Sequence, residues 1–329
     1  MGITRRDFLK YCGLSAATLG LSSADLLHLE EALANPGATA PKVLWLQGSS
    51  CTGCSVSFLN RISTSEPTSA GDILINHINL LYHPNLMGLA GQAAADAAKA
   101  AYNAGGYILA VEGGVPTAYG GATCWAWTYN GVDVTFLQAV RDLASRASKV
   151  LAIGTCAAWG GIPAAPPNPT GVKGVAAATG KTTINIAGCP PHPDWITWAV
   201  VQLLNGASIA VDSWGRPSTL YGGNVHQNCP RRNNPQAITY GVDNACMIYL
   251  GCQGPVTGAN CPAVLWNNRQ NWCIDANARC HACTEHTFPG AALFNYVGKG
   301  NEEHSAAFIQ SNLHHCQQCH SRNIVSGGD

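Results

Sequence analysis

Charge is the scarcest feature of this sequence. Asp, Glu, Lys and Arg make up 11% of 329 residues, against about 25% in an ordinary soluble domain. The 18 basic and 18 acidic side chains cancel. A chain this neutral carries no electrostatic footprint for nucleic acid and no polybasic surface for lipid. It also has too few charges to solvate a large free surface, so either a partner covers much of it or it lies close to insolubility. Long apolar runs are missing as well. No segment reaches the ~20 apolar residues of a membrane-spanning helix, so no transmembrane segment is expected. No internal repeat is visible. Disorder is excluded from the other side, by a hydrophobic content of 47%.

What the sequence has in excess is cysteine. There are 15, an odd number, in a chain far too long to need disulfide staples. Metal binding is the leading explanation for them.

The first 34 residues read as a targeting segment. Thr4-Arg5-Arg6-Asp7-Phe8-Leu9-Lys10 is a twin-arginine pattern, Tyr11 to Leu21 is mildly apolar, and Ala32-Leu33-Ala34 offers a small-x-small cleavage site. This is the layout of a Tat export signal over residues 1–34, which implies a periplasmic protein. Tat moves folded chains, so metal can be inserted before export and the exported cysteines need not be disulfides.

Residues 35–215 carry the pattern of an α/β domain. Short apolar strands are expected at Val43–Leu46, Ile73–Leu81, Tyr107–Val111, Lys149–Ile153 and Ile184–Ala187. Helices are expected at Ser55–Ile62, Gly91–Asn103 and Val134–Ser145. Strands alternating with helices imply a doubly wound parallel sheet. Cys51, Cys54, Glu112, Cys156 and Cys189 each fall just past the carboxyl end of an expected strand, the edge where open α/β sheets bind ligands. Four loops thus deliver a glycine plus a Cys or Glu to one rim, and glycine lets backbone approach a bulky ligand. Residues 163–169 form a Pro-rich surface loop. Residues 216–297 show weak helix and strand signals and are rich in Cys, Asn, Gly and Pro; metal is the expected organiser there. Residues 298–329 form a tail containing His and Cys.

The cysteines fall into sets. Cys51, Cys54, Cys156 and Cys189 make a thiolate tetrad on the rim, suited to iron–sulfur or zinc. Cys-Thr-Gly-Cys by itself also fits a redox dithiol of thioredoxin type. The second set is His226, Cys229, Cys246 and Cys252; the third is Cys261, Cys273, Cys280 and Cys283. Each joins a short x-x clip to two remote ligands. An imidazole ligand raises potential relative to thiolate and suits a site at the surface.

These residues carry a resemblance. Cys-Thr-Gly-Cys-Ser, Val-Glu-Gly-Gly-Val-Pro, Gly-Thr-Cys-Ala-Ala-Trp-Gly-Gly, Asn-Pro-Thr-Gly, Gly-Cys-Pro-Pro-His-Pro, Gly-Arg-Pro, Val-His-Gln-Asn-Cys-Pro-Arg, Leu-Gly-Cys-Gln-Gly-Pro and Asn-Cys-Pro occur in that order between about residues 42 and 295. The chain resembles the small, electron-transferring subunit of periplasmic nickel–iron hydrogenases. The resemblance implies a flavodoxin-like domain with a proximal 4Fe–4S cluster on Cys51, Cys54, Cys156 and Cys189. It implies a distal 4Fe–4S cluster on His226, Cys229, Cys246 and Cys252, and a medial cluster on Cys261, Cys280 and Cys283. It further implies an obligate large subunit holding the nickel–iron centre, hydrogenase activity only in that complex, and a cytochrome or other redox acceptor. Nothing here matches the large subunit's paired Cys-x-x-Cys nickel ligands.

Two departures from the family pattern inform the reading. Where many members have Asn-Trp-Pro and a 3Fe–4S medial cluster, this sequence has Asn271-Trp272-Cys273. A fourth thiolate at Cys273 predicts a medial 4Fe–4S cluster of lower potential, as in members resembling the nickel–iron–selenium enzymes, and so three 4Fe–4S clusters in all. The oxygen-tolerant branch adds cysteines at the positions of Gly53 and Gly161; both are glycine here, so the six-cysteine cluster is absent.

Other residues stay open at this level. Glu112 reads as a proton relay, or as an interface or helix-capping carboxylate; His192 reads as structural and Cys124 as a core thiol. Cys316-Gln-Gln-Cys319-His320 has the form of a haem c attachment motif, and equally of another metal clip or an oxidised pair. A ferredoxin-like carrier without a hydrogenase partner and a zinc-organised binding protein are the competing functions.

Overall fold

The computed structural model describes residues 40–64, 67–204, 206–290 and 324–325. The export signal over 1–34 and the tail motif Cys316, Cys319 and His320 lie outside the described residues. The chain divides into two compact units. One runs to Ile186 and resumes over Pro190–Ile209; the other takes Ala187–Cys189 and the chain from Ala210 onward.

The first unit is built on a five-stranded sheet. In spatial order its strands are Asn79–Tyr82, Lys42–Gln47, Ile108–Glu112, Lys149–Ile153 and Ile184–Ile186, and every neighbouring pair is parallel. By chain position this order is 2-1-3-4-5, the doubly wound flavodoxin-like arrangement. Strands buried on both faces need continuous apolar sequence, and Ile108–Glu112 is buried at every position. Helices Gly91–Ala104 and Phe136–Arg146 contribute Ala94, Ala98, Ala101, Phe136, Val140 and Leu143 to the core around Leu44, Leu46, Leu109 and Val111. The small alanine face lets the first of these helices lie close.

Register matters most for function. Gln47, Glu112 and Ile153 are aligned across three strands, and Ile153 is aligned with Ile186. The carboxyl ends of four strands therefore finish level, and the loops carrying Gly48–Cys54, Gly113–Gly114 and Gly154–Cys156 leave from one rim. The first two flank the boundary between Lys42–Gln47 and Ile108–Glu112, where the connections change direction. That switch point is where such sheets bind ligands.

Two expectations are corrected. The strand expected over Ile73–Leu81 is extended only from Asn79 to Tyr82. Its first half is a helical turn, Ala70–Asp72, that widens into a π-type turn over Ile73–His77. The Ser69 hydroxyl caps it by accepting from the Asp72 N–H at 3.1 Å, and Asp72 Oδ2 accepts from the Thr68 N–H at 2.8 Å. A short apolar run fits strand or buried helix equally; the local cap decides. The helix expected from Val134 starts at Phe136, because Val132–Thr135 pairs antiparallel with Trp125–Tyr129. Asn130 and Gly131 turn this hairpin, both at positive φ, 49° and 78°. Asn-Gly is the strongest short hairpin signal a sequence carries, so this element was legible.

The described residues of the second unit have little regular structure. Its helices Ser218–Tyr221 and Cys261–Val264 are single turns, and Gln236–Ala237 pairs with Ile324–Val325 over two residues. Among the described residues no helix is long and apolar enough to cross a membrane.

Leu109 is fully buried at the centre of the sheet. Leu109→Ala is expected to cost about 3 kcal/mol, read as a lower denaturant midpoint with an unchanged slope.

Candidate functional site

The rim is organised by one carboxylate. Glu112 is wholly buried, and a buried charge persists only when its oxygens are satisfied. Oε1 accepts from the Ser50 hydroxyl at 3.0 Å and from the Cys54 N–H at 3.1 Å. Oε2 accepts from the Trp45 indole at 3.1 Å and from the Ser55 hydroxyl. Because Cys54 lies in the first turn of helix Gly53–Leu59, Glu112 caps that helix, and of the roles open to it the capping one is what the geometry displays. The loop is held further by paired hydrogen bonds between Ser49 and Gly114, each 3.0 Å. Within the Cys51–Cys54 clip, Thr52 adopts φ 67°, a left-handed turn that a non-glycine residue takes only when its surroundings demand it.

Behind Glu112 stands His83, which sequence reasoning missed. Its Nδ1 accepts from the Asn85 N–H at 3.1 Å, so the ring proton sits on Nε2, 3.3 Å from the Ser55 oxygen. The chain of donors therefore runs from His83 to Ser55 to Glu112. Burial pushes the His83 pKa down to about 4, keeping the imidazole neutral. No spacing rule joins residues 55, 83 and 112; only the sheet does.

Close approach governs the rest of the rim. A Cβ on Gly161, at φ +52°, would lie 2.8 Å from the Cys156 thiol and 2.9 Å from its N. On Gly53 it would lie 3.0 Å from the Cys51 thiol. These are the two positions at which the six-cysteine pattern would place side chains. His192 is structural, as expected: it is buried and its Nδ1 accepts from the Asp194 N–H at 3.0 Å, capping helix Pro193–Leu204. Cys124 is only partly buried, packed against the core with its thiol bonded to Ser49.

In the second unit the thiols crowd together. Burial raises the pKa of Cys252 and Cys261 to about 12, and the charge of Cys280 adds to both. Cys283 is pushed well above the usual thiol range by burial, then by Cys261, Cys280 and Cys273. Cys229 and Cys246 are raised by burial too and repel one another. Cys261, Cys273, Cys280 and Cys283 act on one another, and Cys280 also acts on Cys252 and Cys229, so the thiols of this unit form one electrostatically connected series. Bare thiolates are disfavoured throughout it, so they need a cation to ionise against.

His226 belongs beside Cys252. Its N–H donates to the Gly254 carbonyl at 3.1 Å, and a Cβ on Gly254 would lie 3.4 Å from His226 Cβ and 3.5 Å from the Cys252 thiol. His226 itself is buried, 8% exposed in this chain. Cys273, by contrast, is exposed.

Arg216 is a second residue without an assigned role in the sequence, although it sits in the Gly-Arg-Pro motif. It donates to the Glu285 carboxylate at 2.8 Å and the Thr284 carbonyl at 3.0 Å, and Glu285 also accepts from the Gly258 N–H at 2.7 Å. The segments leading to Cys261 and away from Cys283 are thereby clamped.

The donor sets are thiolates with one imidazole, the chemistry of iron–sulfur and other soft-metal sites. None of the twelve described cysteines forms a disulfide. The buried nitrogens Trp272 Nε1 and His281 Nδ1 also lack partners, and both residues adjoin cysteines of the third set.

A thiol-bearing switch point followed by a thiol-organised unit defines a redox subunit of the quinone-oxidoreductase and hydrogenase class. Residues 51–203 match the family model of the NADH ubiquinone oxidoreductase 20 Kd subunit, and residues 221–295 match the model for the C-terminal part of NiFe/NiFeSe hydrogenase small subunits. The periplasmic [NiFeSe] hydrogenase small subunit of Desulfomicrobium baculatum is 37% identical over 322 residues, covering 91% of this chain and all of that protein. The periplasmic [NiFe] hydrogenase small subunit of Solidesulfovibrio fructosivorans is 38% identical, covering 87% of this chain and 90% of the relative. The solved [NiFeSe] hydrogenase of Desulfovibrio vulgaris Hildenborough superposes with a TM-score of 0.73 at 37% identity, over 78% of this chain and 97% of that one. The chain belongs to the family of NiFe and NiFeSe hydrogenase small subunits, and it is the subunit of an oxidoreductase that works with a large subunit.

Two outcomes are expected from this geometry. Since the unfolded chain protonates its histidine near pH 6.5 and folded His83 only near 4, stability is full above about pH 6.5 and falls as pH drops towards 4, by up to ~3 kcal/mol. His83→Gln should flatten that part of the profile in denaturant titrations. Gly161→Ala, strained in φ and crowded against Cys156, is expected to cost about 2 kcal/mol or more, seen as a lower thermal midpoint.

Proposed function

We propose that this chain is the electron relay of a periplasmic nickel–iron or nickel–iron–selenium hydrogenase, exported by the Tat route. Electrons released in hydrogen oxidation at the large subunit's site leave through this chain to an external acceptor, a cytochrome. The proximal ligands are Cys51, Cys54, Cys156 and Cys189. The medial ligands are Cys261, Cys273, Cys280 and Cys283, and the distal ligands are His226, Cys229, Cys246 and Cys252. When bound, three 4Fe–4S clusters supply one-electron carriers whose potentials follow ligand type, burial and hydrogen bonds.

One observation supports the relay above others: ligands of successive sets touch through the backbone. The Cys189 N–H is bonded to the Cys283 thiol, and the Cys280 N–H to the Cys252 thiol. The Gln253 N–H donates to the Cys280 carbonyl at 2.8 Å, tightening the second junction. A proximal ligand is thus linked to a medial one, and a medial ligand to a distal one. The chain's own residues hold the thiolates, exclude water from most of them and fix neighbouring sets in register. The charge of Cys273 on Cys261, Cys280 and Cys283 supports its place as the fourth medial ligand. The low overall charge suits a chain largely covered by an obligate large subunit.

Metal and sulfide analysis of the complex is expected to find about twelve iron atoms in this chain, four for each of three clusters, with no zinc. Oxidised intact enzyme is expected to lack a strong 3Fe–4S resonance at low temperature. Eleven irons with that resonance would remove Cys273 from the ligand set, and zinc alone would sink the relay. A pyridine haemochrome spectrum decides whether Cys316, Cys319 and His320 carry haem c.

A further inference from the structure

We infer that two indoles, Trp266 and Trp272, donate N–H···S hydrogen bonds to the medial cluster and hold its potential up against the effect of its fourth thiolate. The inference rests on the medial-cluster reading above and deepens it.

Trp272 is 3% exposed, and its Nε1 is shielded from solvent without any hydrogen-bond partner. Native proteins rarely leave such a group unsatisfied, because its desolvation is not repaid. An indole nitrogen is a donor only, so the missing partner is an acceptor. The next residue is Cys273, whose charge acts on Cys261, Cys280 and Cys283. A cluster seated on those four thiols brings sulfide and thiolate acceptors to this position.

Trp266 points to the same chemistry, since its side chain offsets part of the burial-driven rise of the Cys261 thiol. The two tryptophans close one loop. The Trp266 backbone N–H donates to the carbonyl of Asn271, the residue before Trp272, and Asn267, Asn268 and Arg269 turn the chain at φ 54°, 56° and 65°. The three consecutive left-handed residues return the chain so that both indole-bearing positions share the loop's base.

A donor to cluster sulfur stabilises the reduced, more negative state and raises the potential. A fourth anionic thiolate works the other way. Two neutral N–H groups offset it without placing a cation in a segment that has little charge.

The test is an electron paramagnetic resonance redox titration of the whole heterodimer carrying Trp272→Phe, Trp266→Phe or both. The medial midpoint is expected to shift to lower potential in each single variant and further in the double one, with the proximal and distal midpoints unmoved. Trp214→Phe, an exposed ring stacked on His286 at 3.5 Å, should leave all three midpoints in place. An unchanged or raised medial midpoint in Trp272→Phe with its iron content intact overturns the inference and leaves the relay standing. A wild-type enzyme without a medial cluster overturns the relay itself. Should a variant fail to assemble, wild-type enzyme labelled with nitrogen-15 in its indoles is measured by pulsed resonance. Two indole nitrogens coupled to the reduced medial cluster are expected, and their absence overturns the inference.

Discussion

Thiolates crowded where water cannot solvate them set the terms for the second unit. Cys252, Cys261, Cys280 and Cys283 are all pushed towards the neutral thiol by burial and then by one another. Such a group is stable as an ionised set only around a cation. Its described residues form single-turn helices and a two-residue strand pairing, so among them few hydrogen-bonded ladders compete with that requirement. Its backbone is instead fixed by clamps such as Arg216, Glu285 and Gly258, which hold ligand-bearing segments at set distances. Metal binding and folding are one process in such a segment.

The first unit solves the opposite problem. Its sheet folds on apolar packing, and the rim is a consequence of register: Gln47, Glu112 and Ile153 end level. Glu112 then turns a sheet edge into a site. It draws Ser50, Cys54, Ser55 and Trp45 onto one carboxylate, fixing the entrance of the Cys51–Cys54 clip. A neutral His83 behind Ser55 orients that hydroxyl without adding charge. The match to a quinone-oxidoreductase subunit model covers residues 51–203 alone, the part of the chain that contains most of the sheet and its rim. The part specific to the hydrogenase branch is the cysteine-rich unit over residues 221–295.

Much of this was legible in residue order. The alternation of strands and helices and the glycines beside Cys51, Cys156 and Cys189 follow from local chemistry. The helical turn at Ile73–His77 was not legible as such, because an apolar run carries no period that separates helix from buried strand. The hairpin at Asn130-Gly131 was legible and overlooked. An imidazole ligand suits a site at the surface, yet His226 itself is buried in this chain and its N–H is held by the Gly254 carbonyl.

Residue types and spacings by themselves determined the thiolate chemistry of the chain, the parallel sheet and the family, since thiolate clips and glycine turns are local requirements that few alternative sequences meet. Tertiary structure alone decided which side chains serve those ligands. Ser55, His83 and Glu112 meet only because parallel strands bring together positions far apart in sequence. Cys189 reaches Cys283, and Trp272 is left with an unspent N–H, for the same reason: contacts between distant segments depend on packing, which no local pattern encodes.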